Sequence, residues 1–409
     1  MRHNWAMAHL HFAWELGGGL GHAGRIKPLA VEALRRGHRV TLSLRDLVHT
    51  DVLLSDVDAP RVQAPIFTHT VHGVPSPSIN LSEILLTCGY LNAGALQGLF
   101  TGWRCLLSEL KPDLVVGDYA PTAMLAARSL GLPSTGLGIG FYLPSPNQPM
   151  PSLRDWERPQ PGRLASADQQ MLDAINTVLA RVGTAPLSHP AQTMGGDIPR
   201  LLTWPEFDHY GRTHLADGER WWGPSLSPGG GVAPQWPAGD LSRQPAVFAY
   251  LKAAHPDHAL ILKALVDLGC RTVCYMPEVA AGKPHPVVSP LIHYASGPVN
   301  LDLAFEQAEL CICHAGEATL AQAMLANVPV FLLPTQAEQF LISRQVANTG
   351  AGINAAMLQR PVDYRAALAP MLGESTYRAA ARAFAQKYAH FSSRQQTVEV
   401  VDAFEKQMG

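Results

Sequence analysis

Short strand-like runs alternate with longer helix-like runs along this chain, and the alternation occurs twice, a pattern that confines the fold to parallel sheets covered by helices. In the first half Leu10 to Trp14 and Arg39 to Leu44 read as strands around a helix from Ala23 to Arg36, and Leu114 to Gly117 reads as a strand followed by a helix to Leu130. The first helix is marked by Ile26, Leu29, Ala30, Ala33 and Leu34, which recur at i, i+3, i+4, i+7 and i+8, and by Gly37, which stops it. A second alternation runs through Ala246 to Leu251, Arg271 to Tyr275, Leu310 to Cys313 and Pro329 to Leu332. After Val362 the pattern is helical, with Tyr377, Ala381, Phe384, Tyr388 and Phe391 on one apolar stripe and a last amphipathic helix from about Arg394 to Met408. The expected fold class is α/β, with two similar doubly wound units in tandem.

A chain of 409 residues has room for two to three domains. Pro224 to Pro245 holds Gly229, Gly230, Gly231 and five prolines with little periodicity, so it reads as an interdomain linker. The expected division is 1–225, a linker at 226–245, a second domain at 246–373 and terminal helices at 374–409. Another Pro-rich segment, Leu143 to Gly162, is too long for a tight connection and reads as a surface lid or substrate loop.

Composition removes several function classes. A 47% hydrophobic and 16% charged chain is globular rather than disordered, and 31 Lys plus Arg against 33 Asp plus Glu give no net field for a polyanion. Nucleic acid is therefore not an expected partner. The six cysteines form no CxxC pair, so they are expected to be buried free thiols in a reducing compartment, with neither a disulfide framework nor a metal site. No signal peptide is legible, because His9, His11 and Glu15 break the first apolar run, and a cytoplasmic location is expected. The uncharged stretch Ile84 to Trp103 carries too many glycines and polar residues for a membrane span. It reads as a buried helix or a greasy cleft wall, where Leu99, Phe100 and Trp103 could touch a lipid-like ligand, so membrane contact is at most peripheral.

Three places carry chemistry. Gly17-Gly18-Gly19-Leu20-Gly21-His22 lies between the first strand and the first helix, where glycines let a ligand approach and the helix start supplies donors. It does not fit GxGxxG followed by an acidic ribose ligand, since Ser43-Leu44-Arg45 follows the second strand, so it is no dinucleotide fingerprint. His22 reads either as an exposed helix-start residue or as a group at the mouth of a cleft. Asp118 falls at the carboxyl end of a strand, as a cap for the next helix or as the orienting partner of His22. The third place is Leu310 to Thr319, a buried strand turning through Ala315 and Gly316 into a helix. Helix amides there, with His314 and Thr319 as side-chain donors, would cradle a diphosphate without a metal. Glu338 and Gln339 follow the next strand on the same sheet edge.

Gly21-His22 followed by His38 within Arg36 to Thr41, then Asp118, Pro298 sixteen residues before His314, the His314 to Thr319 turn, Val328-Pro329, Glu338-Gln339 and Gly350-Ala351-Gly352 form an ordered set. In that order and spacing the chain resembles the nucleotide-sugar glycosyltransferases of family 1, of the bacterial UDP-glycosyltransferase-like type. The resemblance runs through both halves and leaves Thr50 to Lys111 and Pro144 to Pro245 unmatched. It implies the GT-B architecture, two Rossmann-like domains facing across a cleft, with the acceptor on the first, the donor on the second and the last helix crossing back. It further implies that His22 is the general base and Asp118 its orienter, with Gly18, Gly19 and Gly21 as the glycine loop. His314, Gly316 and Thr319 would hold the donor diphosphate, Glu338 and Gln339 the donor sugar, and the backbone at Val299 the base.

The chain also departs from the family. Ala315 stands for the usual second glycine, Glu317 puts a carboxylate in the first helical turn, and Gln322 replaces the glutamate that binds both ribose hydroxyls. Ser296 stands where many members stack a tryptophan, and Arg25 replaces a proline. The expected function is an inverting, metal-independent glycosyltransferase of hexosyltransferase type, needing no cofactor. It would move a sugar from a UDP- or dTDP-linked donor to a hydroxyl of a small, apolar or lipid-like acceptor. A nucleotide-sugar epimerase would need several carboxylates near the anomeric centre, where the glycine loop offers only Glu15; a non-catalytic nucleotide-sugar-binding accessory protein is the other alternative.

Overall fold

A computed structural model describes residues 7–409 other than 159, 161, 217, 227–228, 240–243 and 374. The chain divides into two compact units, Met1–Ser225 with Ser392–Gly409, and Leu226–Phe391. The first is built on β1 (His9–Trp14), β2 (Arg39–Leu44), β3 (Arg61–Gln63), β4 (Leu114–Asp118), β5 (Ser134–Gly138) and β6 (Arg200–Leu201), all parallel, in the order β3-β2-β1-β4-β5-β6. The second holds β7 (Ala246–Tyr250), β8 (Arg271–Tyr275), β9 (Ile292–Tyr294), β10 (Leu310–Cys313), β11 (Val330–Leu332) and β12 (Gly352–Asn354), also parallel, in the order β12-β11-β10-β7-β8-β9. Counted from its own first strand, the second sheet repeats the order of the first. In such sheets ligands collect beyond the carboxyl ends of the strands where the order reverses. Those points are β1 beside β4 in one unit and β7 beside β10 in the other.

The first sheet is closed by helices whose apolar faces match the sequence periods. Ile26, Leu29, Ala30 and Ala33 of the helix Gly21–Arg35 pack on Leu10 and Phe12 of β1. The final helix, Ser393–Met408, packs in the same core through Val400, Val401 and Phe404, with Phe404 edge-on to Phe12 at 6.4 Å. Its polar anchor is Glu405, 4% exposed. One carboxylate oxygen accepts from Arg36 Nη1 (2.7 Å) and the other from His38 Nε2 (2.9 Å). His38, one of the residues that carried the family resemblance, is thus a structural clasp.

Several expectations change. The stretch Ile84 to Trp103 is two helices, Leu81–Leu85 and Ala93–Leu110, separated by a turn in which Gly89 takes φ +99°. Asn92 caps the second through bonds to its side chain from Gly94 N and Ala95 N (2.7 and 3.3 Å). Phe100 and Trp103 are fully buried in that helix's core face, which removes them as ligand contacts and leaves Leu99 half-buried. The segment 143–162 is fastened rather than lid-like, so far as it lies within the described residues. Met150 and Leu153 are buried, Met150 N donates to Asp168 Oδ2 (2.7 Å) and Leu153 N to Ile79 O (2.7 Å). The linker 226–245 falls partly outside the described residues. Where described, it packs on the second unit, since Val232 N donates to Pro298 O (2.7 Å) and Asn300 N to Val232 O (2.8 Å). Residue 374, where the terminal helices were expected to begin, also lies outside the described residues. All six cysteines are free; Cys270, Cys274, Cys311 and Cys313 are buried as expected, whereas Cys88 is half-buried and Cys105 exposed. Among the described residues no helix is long and apolar enough to cross a membrane.

Replacing Glu405 with Ala leaves His38 Nε2 without its carboxylate and removes one of the acidic partners of Arg36. A lost buried, charge-assisted contact costs about 1–3 kcal/mol. Urea unfolding of Glu405→Ala should show that loss in the midpoint at an unchanged slope; a midpoint equal to that of the unmodified protein would mean the helix is held by its apolar face alone.

Candidate active site

At the end of β1 the chain turns back through the glycine loop, and the register pairs Trp14 directly with Asp118, the last residue of β4. His22 is the second residue of the helix that leaves this loop. Its Nδ1 donates to Asp118 Oδ1 at 2.8 Å. A carboxylate can only accept, so Nδ1 carries a proton, and in the neutral ring the lone pair falls on Nε2. The imidazole lies flat on the Trp14 indole, with centroids 5.2 Å apart at an interplanar angle of 17°. Gly17, at φ +77°, brings its backbone so close to Nε2 that any Cβ there would collide with it. Gly18, Gly19 and Gly21 border open space.

Asp118 has no exposed surface and two further donors that sequence reasoning did not find. Arg25 Nη1 reaches Oδ2 at 2.7 Å, and Tyr142 Oη donates to Oδ1 at 2.6 Å while accepting from Arg25 at 2.8 Å. Burial pushes the carboxyl up, but the charges of Arg25 and His22 and the hydrogen bonds from His22 and Tyr142 together outweigh it and hold Asp118 below its ordinary range. Arg25 follows His22 by three on one helix, so both reach the same carboxylate. That spacing was visible, although its meaning depended on Asp118 arriving at this strand end.

Glu15 is the other buried acid of the loop, and it faces away from it. Its oxygens accept from Thr122 N (2.8 Å) and Thr122 Oγ1 (2.6 Å), so it caps the helix Pro121–Leu130 from outside, where Ala120 offers no side-chain cap. Burial raises its carboxyl to about 7 despite those bonds.

In the second unit β10 ends in His314, and the chain turns into the helix Glu317–Leu325, which Gly316 precedes as cap residue. His314 Nδ1 donates to Leu333 O at 2.8 Å; Nε2 is buried without a protein partner among the described residues. The ring sits 5.9 Å from Tyr250, at the end of β7, and 5.9 Å from His255. Burial lowers its pKa, so the side chain is neutral with a lone pair on Nε2. From this tautomer Nε2 becomes a donor on taking up a proton. Thr319 is half-buried one turn into the helix. Gln322 Nε2 donates back to Ala318 O at 3.3 Å, along its own helix.

Gln339 is buried and its Oε1 accepts from Thr335 N (2.9 Å) and Thr335 Oγ1 (3.0 Å), holding the turn after β11; Glu338 beside it is half-buried. The parallel bridge between Val232 and Val299 uses the flanking peptide groups, Pro298 O and Asn300 N, which turns the N–H and C=O of Val299 to the opposite side. Among the described residues no three His, Cys, Asp or Glu side chains are gathered as a metal site.

No family model matches the chain. It is 24% identical over 341 residues to a PGL/p-HBAD biosynthesis glycosyltransferase of Mycobacterium tuberculosis H37Ra, covering 79% of this chain and 78% of that one. Among solved structures, CalG4, the calicheamicin glycosyltransferase, superposes at TM-score 0.71 with 20% identity over 100% of this chain and 99% of its own. The chain is a glycosyltransferase of GT-B fold. Another GT-B structure, the spinosyn rhamnosyltransferase SpnG, superposes at 0.66 with 17% identity over 97% and 100% of the two chains.

One GT-B departure has a local energetic meaning. Ala315 takes φ +58°, a left-handed conformation that costs an L-residue about 1–2 kcal/mol, whereas glycine takes it freely. Glycine would lose about 0.4–1 kcal/mol through the unfolded chain. Ala315→Gly should therefore stabilise the protein slightly, by up to about 1 kcal/mol. Thermal unfolding checks it: a lower Tm would show that the turn is not strained by its methyl group.

Proposed function

We propose that this glycosyltransferase inverts configuration at the transferred sugar, uses His22 as general base and needs no metal. The single observation that carries the reading is the Nδ1-bound imidazole of His22, oriented by a fully buried Asp118 so that its free lone pair lies at the glycine loop. A base placed this way takes the acceptor's hydroxyl proton as its oxygen attacks the anomeric carbon from the face opposite the leaving diphosphate. Charge then develops on the diphosphate. The amides opening the helix Glu317–Leu325, Thr319 and a protonated His314 are the groups that would meet it.

SpnG has been solved in complex with thymidine diphosphate and with spinosyn aglycone, which supports a nucleoside diphosphate sugar as donor and a small molecule as acceptor. A cavity of about 180 Å³ in the first unit mixes Leu143, Pro144, Leu201 and Leu215 with Arg212 and Glu219 and includes none of the groups around His22, so it lends no support to a particular acceptor. The epimerase alternative lacks support, because Glu15, the only carboxylate of the loop, is turned inward onto Thr122.

Proton transfer by a positioned side chain is worth about 10² to 10⁴ in rate. His22→Ala should lose that factor in kcat, measured with EDTA present throughout, while binding of UDP or dTDP, assigned to the other unit, is retained. Near-normal turnover of His22→Ala, or a requirement for added magnesium or manganese, would remove the proposed mechanism. Gly17→Ala, which crowds Nε2 without touching the carboxylate, should resemble His22→Ala in rate.

The nucleotide depends on Gln322. A carboxylate accepts from both ribose hydroxyls with charge assistance, whereas an amide turned toward Ala318 O does not. The loss is on the order of 1 kcal/mol, several-fold in affinity, and matters only for a ribonucleotide. Titration of UDP and dTDP should therefore show little discrimination, and Gln322→Glu should favour UDP. A strong UDP preference that Gln322→Glu leaves unchanged would take this residue out of the donor site.

A further inference from the structure

The start of the helix Gly21–Arg35 carries two basic side chains, His22 in the first turn and Arg25 opening the second, and the first turn holds no acid. A helix start is the positive end of its dipole, so a fixed cation placed there is held against that field. What holds it is Asp118. Arg25 Nη1 lies 2.7 Å from Oδ2 and 2.8 Å from Tyr142 Oη, and Tyr142 in turn donates to the oxygen that His22 uses.

We propose that Arg25 is a positioning residue for the base: by sharing Asp118 with His22, it keeps the imidazole neutral, with its lone pair available, to lower pH than a His–Asp pair alone would. The proposal rests on the reading of His22 as the base. A buried His–Asp pair goes from one net negative charge to zero when the imidazole takes a proton, which favours proton uptake. Arg25 adds a positive charge beside both states, so proton uptake by the imidazole then works against that charge and against the helix N-terminus. The cost is a weaker base. The gain is a base that is not already blocked by a proton at mildly acidic pH.

The groups around the imidazole come from four elements. Trp14 of β1 stacks on it, Asp118 ends β4 beneath it, and Arg25 shares its helix. Tyr119 and Tyr142 lie 6.2 and 5.9 Å away by ring centroid and are stacked on each other at 4.5 Å. Near Arg25 are His209, whose pKa burial lowers to about 3 against the charge of the buried Asp208 and with those of Arg212 and Arg25, and the Asp208–Arg212 ion pair itself at 2.6 Å. Glu15 is turned away onto Thr122.

The test needs neither donor nor acceptor. The His22 ring is followed by NMR across a pH titration of histidine-labelled full-length protein, with His22→Gln identifying its signal. Arg25→Met should raise the His22 midpoint by about 1 unit or more, the scale on which a neighbouring charge acts. Arg25→Lys keeps the charge and should stay near the unmodified midpoint. Arg25→Gln serves in place of Arg25→Met if the latter does not fold. A midpoint that stays put when the charge is removed, or that moves equally in Arg25→Lys, overturns the proposal. The base reading fails separately, through normal turnover of His22→Ala, and the titration stands whichever way that result falls.

Discussion

A carboxylate with no exposed surface must be met on every side, and Asp118 is met by an imidazole, a guanidinium and a phenol. Left unpaired, a buried charge of this kind would cost several kcal/mol. The three donors come from the first helix and from the turn after β5, so satisfying one acid fixes the first helix against β4 and the Gly140–Tyr142 turn against both. The loop after β1 is bound to the same place through Leu16 N and Tyr119 O at 2.9 Å. Tyr119 itself is held at φ +49°, a strain tolerated only where the surroundings over-determine the backbone. The orientation of the His22 ring is thus a by-product of how this acid is buried.

The two sheets explain why both candidate sites fall where they do. Each repeats one strand order, and each places its informative histidine at the reversal of that order, His22 beside the end of β4 and His314 at the end of β10. The histidines differ in what holds Nδ1. Asp118 carries a charge that can answer an imidazolium, whereas the Leu333 carbonyl carries none. The same side chain is therefore oriented by a charged acceptor in one unit and by a neutral carbonyl in the other.

The strands were legible because they are buried on both faces and bounded by glycine or proline: Arg39–Leu44, Arg271–Tyr275 and Leu310–Cys313 fall within the bounds that pattern alone suggests. His22 and Asp118 were legible as candidates at strand ends, though their contact was not, since 96 residues separate them. Arg25 was visible only as a departure from a family pattern, and Tyr142 not at all, because a tyrosine in a turn has no period and its partner is set by tertiary packing. The segment 143–162 misled for a related reason. Proline-rich composition reports missing regular structure, but not whether Met150 and Leu153 find a core to enter. For Phe100 and Trp103 the sequence left a buried helix and a cleft wall open, since an apolar helix looks alike whether its face meets a ligand or Leu96 and Leu107 join it in a buried layer, as they do here.

The first unit is completed by the last residues of the chain, Ser392–Gly409. During synthesis, the 167 residues from 226 to 392 must be made before that helix starts to emerge, roughly ten to thirty seconds at ribosomal rates. Through that interval the apolar side of Phe12, together with Arg36 and His38, has no Phe404 or Glu405 to meet it. The earlier-made half of the nascent chain is thus the later to finish folding, and it depends for that time on whatever shelters a half-closed sheet in the cell.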